Sequence, residues 1–161
     1  MTAAYKVNAA HWRRKGVVRV QHGVPVMSCS VVAPVISGRR VGSRAASRAD
    51  RLLKRLKAAR LDATYEQELR RLIRVDLLIL DDFALEAMDT VETHDFYQVV
   101  VERHRRSSTI LTSNREPIEW LPLMADPMLA QSAVDRIVNS AYELVLEGES
   151  YRSRQKPGRR S

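Results

Sequence analysis

The sequence predicts an α/β fold, a parallel sheet with flanking helices, from three observations. Leu77-Leu78-Ile79-Leu80-Asp81 is a short continuous apolar run that ends in acid, as a strand covered by helices on both faces does. A second run, Thr109-Ile110-Leu111-Thr112, ends in Ser113-Asn114-Arg115. Segments of helical periodicity surround both runs, and such alternation is the pattern of a parallel sheet. Ligands of these sheets bind where the strands' carboxyl ends emerge. Asp81 and Asp82 at one strand end and Asn114 at the next would place metal-binding and water-positioning groups side by side, the layout of a nucleotide-hydrolysing site.

The remaining elements follow in chain order. Leu52, Leu53, Leu56 and Ala59 fall on one helical face, with Arg51, Lys54, Arg55 and Lys57 on the rest. A second helix is expected from about Thr64 to Ile73, then the strand Leu77 to Asp81. Asp89 and Glu92 have capping-box spacing and open a helix whose buried face carries Phe96, Val99, Val100 and the stem of Arg103. Glu116-Pro117 starts a short helix with Trp120 and Leu121. Asp126-Pro127 starts another, with aspartate as N-cap and proline in the first helical position. Tyr142 to Leu146 reads as a last strand. His94 and His104 stand ten residues apart with no second ligand cluster, which argues against zinc.

Composition divides the chain. Its 161 residues are 45% hydrophobic, enough for one domain with a core, and carry a net charge of +8. Residues 1–49 contain nine Lys or Arg and no Asp or Glu, whereas residues 50–161 contain eighteen basic and nineteen acidic groups. The excess charge thus belongs to residues 1–47, an atypical basic segment, and to a basic tail at 151–161. It does not make residues 48–150 a basic domain. The single Cys29 excludes an intrachain disulfide and points to a reducing compartment, the cytoplasm. No apolar run reaches the roughly 18 to 20 residues of a membrane span.

Taken together and in order, Ala49-Asp50-Arg51-Leu52-Leu53, Leu77 to Phe83, Thr112-Ser113-Asn114-Arg115, Asp135-Arg136 and Ser150-Tyr151-Arg152-Ser153-Arg154 resemble the carboxyl-terminal two-thirds of the IstB-like family. These are the ATP-binding helper proteins of bacterial insertion sequences, related to the DnaC helicase loaders. The resemblance covers about residues 48–157 and implies a P-loop NTPase fold of the AAA+ type, with ATP and Mg²⁺ as cofactors. It further implies DNA and a transposase as partners and a homo-oligomer. In its terms Asp81 matches the Walker B aspartate that holds Mg²⁺ through water, and Asp82 the residue that polarises the attacking water. Asn114 matches the sensor 1 position, and Arg136 the arginine that reaches a neighbouring subunit's nucleotide. Arg152, Arg154 and Lys156 of the tail are candidate DNA phosphate contacts.

The sequence also departs from the family. No G-x-x-x-x-G-K-S/T loop occurs; Gly38 and Gly42 bracket arginines and precede neither Lys-Ser nor Lys-Thr. Without that loop the backbone N–H cradle and the phosphate lysine are lost, so nucleotide binding is expected to be severely weakened. The resemblance places the strand that leads into the loop between the strands ending in Asp81 and Asn114. The sheet is therefore expected to be incomplete unless Val17 to Val20 or Val31 to Ile36 substitutes for that strand. Residues 1–47 are expected to be an out-of-frame or rearranged start, with a disordered DNA-binding arm or a presequence as rivals. Two functions follow: a helper ATPase acting on DNA with a transposase, or a remnant that associates with DNA without ATPase activity.

Overall fold

The computed structural model describes residues 28–32 and 42–145. Its elements are β1 (Ser28–Val32), β2 (Arg44–Arg48), α1 (Ala49–Leu61), α2 (Tyr65–Arg74), β3 (Leu77–Asp81), α3 (Thr90–Arg103), β4 (Ser108–Ser113), α4 (Pro117–Trp120), α5 (Pro127–Ser140) and β5 (Ala141–Val145). The strands form one sheet in the order β2-β3-β4-β1-β5. β2, β3 and β4 are parallel, with Leu77 opposite both Arg44 and Ser108, while β1 runs antiparallel to β4 and β5.

This order corrects one expectation. No strand lies between those ending in Asp81 and Asn114; β3 and β4 are direct neighbours from Leu77↔Ser108 to Leu80↔Leu111. The connection through α3 returns the chain to the adjacent ladder, the ordinary parallel crossover, so these facing edges need no third strand. Of the two proposed substitutes, Val31 and Val32 fall in β1, which sits beyond β4. Residues 33–36 and Val17 to Val20 lie outside the described residues. β2 was not anticipated: Arg-Ala-Ala-Ser-Arg lacks an apolar face, yet it extends the sheet in register with β3.

The helices form where local chemistry favours them. Asp89 and Glu92 make the expected capping box at the start of α3, and Asp126 accepts from the backbone N–H groups of Met128 and Leu129 to cap α5. Leu52, Leu53 and Leu56 of α1, Phe96 and Val99 of α3 and Ile137 of α5 pack with Leu78, Leu80 and Leu111 of the sheet. Trp120 and Phe83 are fully buried and meet edge to face at 5.0 Å, so Trp120 belongs to the core. Ala63 closes α1 with φ 55°, and the N–H of Thr64 donates to Ala59 O at 2.9 Å. That is a Schellman closure with alanine at the left-handed position glycine prefers.

More than the stem of Arg103 is buried; the whole side chain is only 2% exposed. Its guanidinium donates to the carbonyls of Leu72, Ile73, Val75 and Ser108 and to Thr109 Oγ1. It thereby satisfies the last carbonyls of α2 and ties them to the start of β4. Burial lowers its pKa to about 10, and the charge of Asp76 opposes that fall.

Two outcomes follow from these positions. Ala63→Gly relieves left-handed strain and raises stability by about 1 kcal/mol, read as a higher urea midpoint with unchanged slope. Arg103→Met leaves buried carbonyls unpaired and costs about 3 kcal/mol; Arg103→Lys restores only part of that, because an ammonium cannot span the same acceptors.

Candidate active site

The β3 and β4 register fixes the site. Because Leu80 lies opposite Leu111, Asp81 and Thr112 stand together at the carboxyl edge of the sheet. Thr112 Oγ1 donates to Asp81 Oδ1 and accepts from the backbone N–H of Asp82 at 3.0 Å. One hydroxyl thus orients the carboxylate and holds the turn behind it. The N–H of Phe83 then donates to Thr112 O at 2.8 Å, which extends the pairing one step past the strand. Asp82 itself has φ 55° and Ala84 φ 59°; the first is tolerated by aspartate, the second is a strained position for alanine.

The other half of the site is built on Ser113. Its buried hydroxyl donates to Phe83 O at 2.8 Å and accepts from Trp120 Nε1 at 3.1 Å and from the N–H of Arg115 at 3.1 Å. The loop after β4 is thereby held against the loop after β3, and Asn114 is carried between them. Asn114 Oδ1 is buried with no hydrogen-bond partner among the described residues, an acceptor that calls for a donor from water or ligand.

Asp81, Asp82 and Asn114 therefore share one edge, but they do not face one way. Asp82 turns toward α1, with Oδ2 3.9 Å from Arg48 Nε, and lines a small cavity of about 30 Å³ with Arg48, Asp50, Lys54 and Glu86. Arg48 lies opposite Asp81 in the ladder and also pairs with Asp50 at 3.1 Å. Sequence reasoning missed both Thr112 and Arg48. Thr112 stood inside a quoted motif, two residues before Asn114; Arg48 gave no signal, since β2 was not expected.

Arg136 is not at this edge. Its guanidinium donates to Ser132 O at 2.8 Å and to Ser132 Oγ, lies 5.9 Å from the ring of Tyr97, and shares a cleft with Arg103, His104, Thr109, Leu80 and Leu111. Arg152, Arg154 and Lys156 lie outside the described residues. Among the described residues no group of three or more His, Cys, Asp or Glu side chains is arranged to hold a metal, and no helix is long and apolar enough to cross a membrane.

These residues fit one end of magnesium-nucleotide chemistry. Asp81 is exposed and pre-oriented by Thr112, as a carboxylate that holds a hydrated cation must be, and the orphaned Asn114 oxygen adds an acceptor nearby. The phosphate end does not fit, because the chain lacks the glycine-rich loop and its lysine.

Comparison with known proteins agrees with this architecture. The chain is 32% identical over 155 residues to an ATP-binding protein of a Mycobacterium tuberculosis insertion sequence, Rv3427c, covering 94% of this chain and 62% of the relative. It is 38% identical over 109 residues to y4pL, an insertion-sequence ATP-binding protein of Sinorhizobium fredii, covering 68% and 44%. It is 32% identical over 105 residues to the ATP-binding protein of IS5376 from Geobacillus stearothermophilus, covering 65% and 42%. The chain thus spans less than two-thirds of these relatives' length. Among solved structures, AMPPCP-bound DnaA from Aquifex aeolicus superposes with a TM-score of 0.51 at 20% identity, over 65% of this chain and 30% of that one. A DNA replication initiation factor superposes with a TM-score of 0.52 at 20% identity, over 70% and 33%. Both share the AAA+ P-loop fold. The model of the IstB-like ATP binding protein family matches residues 29–158, and the chain belongs to that family.

Proposed function

We propose that this chain acts as the ATP-binding helper of an insertion sequence, engaging DNA and stimulating a transposase, with its nucleotide affinity much reduced. The observation that carries the reading is the shared edge of Asp81, Thr112 and Asn114 in a chain whose relatives are named as insertion-sequence ATP-binding proteins. In this reading Asp81 would hold Mg²⁺, and Asn114 would accept from a bound water. Asp82 assumes its water-polarising role once its carboxylate leaves Arg48. Arg136, whose guanidinium is held by Ser132, acts on a neighbouring copy, which makes the working form an oligomer. Arg152, Arg154 and Lys156 add contacts to DNA phosphates.

The absent phosphate loop favours a second reading, a remnant that associates with DNA without ATPase activity. Fluorescent-ATP titration with and without Mg²⁺ separates the two. The helper reading expects magnesium-dependent binding about 100-fold weaker than that of a relative with an intact loop, a deficit of about 2.7 kcal/mol. The complete absence of such binding establishes the remnant.

Asp81→Ala abolishes the magnesium dependence of whatever binding is measured; if that dependence survives, Asp81 does not hold the cation. Thr112→Ser preserves the shared hydroxyl and behaves as the unaltered chain. Thr112→Val leaves the Asp82 N–H unpaired and lowers stability by about 1–2 kcal/mol, checked by urea denaturation.

A further inference from the structure

The amino-terminal edge of the sheet, opposite the aspartates, is organised around two side chains. Asp76 Oδ2 accepts from the N–H groups of Gly42 at 3.2 Å and Ser43 at 2.9 Å and from Ser43 Oγ at 3.1 Å. The N–H of Leu77 donates to Ser43 O at 3.2 Å, and the N–H of Ser108 donates to Asp76 O at 3.1 Å. Arg103 adds its bonds to Val75 and Ser108. The chain segments entering β2, β3 and β4 are thus gathered, and each brings an exposed arginine: Arg44, Arg74 and Arg105. Arg70 lies four residues before Arg74, on the same helical face.

Some cations of the domain are engaged in ion pairs, while others, Arg51 and Arg115 among them, have none among the described residues. Lys54, Lys57 and Arg60 of α1 are paired with Glu86, Asp89 and Asp95. Arg44, Arg70, Arg74 and Arg105 have no ion pair among the described residues. The helix dipole accounts for basic residues at the end of α2. It does not account for Arg44 at a strand start or for Arg105 in a loop at φ 59°. Burial, and after it the charges of Arg105 and Arg136, push the neighbouring His104 below its usual pKa.

We propose that this edge docks the sugar-phosphate backbone of DNA, with Arg44, Arg74 and Arg105 as its phosphate contacts. The inference deepens the DNA-binding part of the function proposed above and rests on it. Among the described residues, none of the exposed large hydrophobic residues lies in the segments that carry these arginines, whereas a lipid-surface site sets an apolar face beside its cations. Guanidinium groups set along a sheet edge suit a chain of phosphates read without regard to sequence.

The test is fluorescence anisotropy of a labelled duplex with the full chain across a salt series. Changing Arg44, Arg74 and Arg105 together to Gln weakens binding at least tenfold. It also flattens the slope of log K against log salt by about 2 to 3, near 0.9 for each phosphate that is no longer neutralised. If the triple variant fails to keep the urea midpoint of the unaltered chain, the three single variants, each at an exposed position, replace it, with a slope change of about 0.9 apiece. Unchanged affinity and slope, with DNA still bound, overturn this surface but leave the DNA-binding reading intact. A chain that binds no duplex overturns both, and one that binds phosphatidylglycerol vesicles instead assigns the edge to lipid. Gln at Arg152, Arg154 and Lys156 leaves the effect of the triple variant in place.

Discussion

The arrangement depends on one buried cation. Arg103 enters the protein interior without an ion pair among the described residues, and its guanidinium is accommodated because four backbone carbonyls and a threonine hydroxyl converge on it. A planar fork of five donors suits such a task. By holding Leu72, Ile73 and Val75 together with Ser108, it sets where β3 begins relative to β4. Asp76 sets the start of β2 against the same point. A slip of one residue would turn every side chain of a strand to the other face, and Thr112 would no longer meet Asp81. The geometry of the acidic edge is therefore decided at the opposite edge, one strand length away.

A second set of contacts fixes the loop between β3 and α3. Lys54, Lys57 and Arg60 recur along one side of α1 and meet Glu86, Asp89 and Asp95 in turn. The first two pairs are solvent-exposed, and pairs of that kind contribute little individually. Asp95 differs, because it is fully buried and depends on Arg60 for its countercharge. Arg60 also stacks on Tyr65 at 3.9 Å, whose hydroxyl is pushed up to about 12 by burial and by the neighbouring Asp95. Lys54 and Lys57 of α1 thus reach toward the segment between β3 and α3, Arg60 reaches α3 itself and Arg55 reaches Glu68 of α2, whereas Arg51 has no ion pair among the described residues.

What could be read from the sequence follows the range of the interactions involved. The caps at Asp89 and Asp126, the buried faces of α1 and α3 and the ends of β3 and β4 depend on neighbours within a turn or two. β2 was hidden because an edge strand of Arg, Ala and Ser has no apolar alternation and is held by its register with β3. The adjacency of β3 and β4 was misjudged because strand order is a property of the crossover, not of either strand. The candidate site divides in the same way. Asp81 and Asn114 announce themselves as polar strand ends, whereas the role of Thr112 appears only once two strands are aligned, and the turn of Asp82 toward Arg48 only once a third is added.

The position of Arg136 carries a constraint on assembly. It shares a cleft with Arg103, His104, Thr109, Leu80 and Leu111, while Asp81 lies at the carboxyl end of β3. Among the described residues no hydrogen bond or ion pair joins Arg136 to Asp81; its guanidinium is held by Ser132 instead. If Arg136 serves chemistry at the Asp81 of a neighbouring copy, the two surfaces that meet are unlike. A two-fold dimer joins one patch to itself; joining unlike patches is a head-to-tail contact, which closes into a ring or continues as a helical filament. In either arrangement every copy presents its basic edge in the same relation to the assembly axis. The unpaired arginines would then repeat along a common path, so that weak phosphate contacts on each chain add along a single DNA.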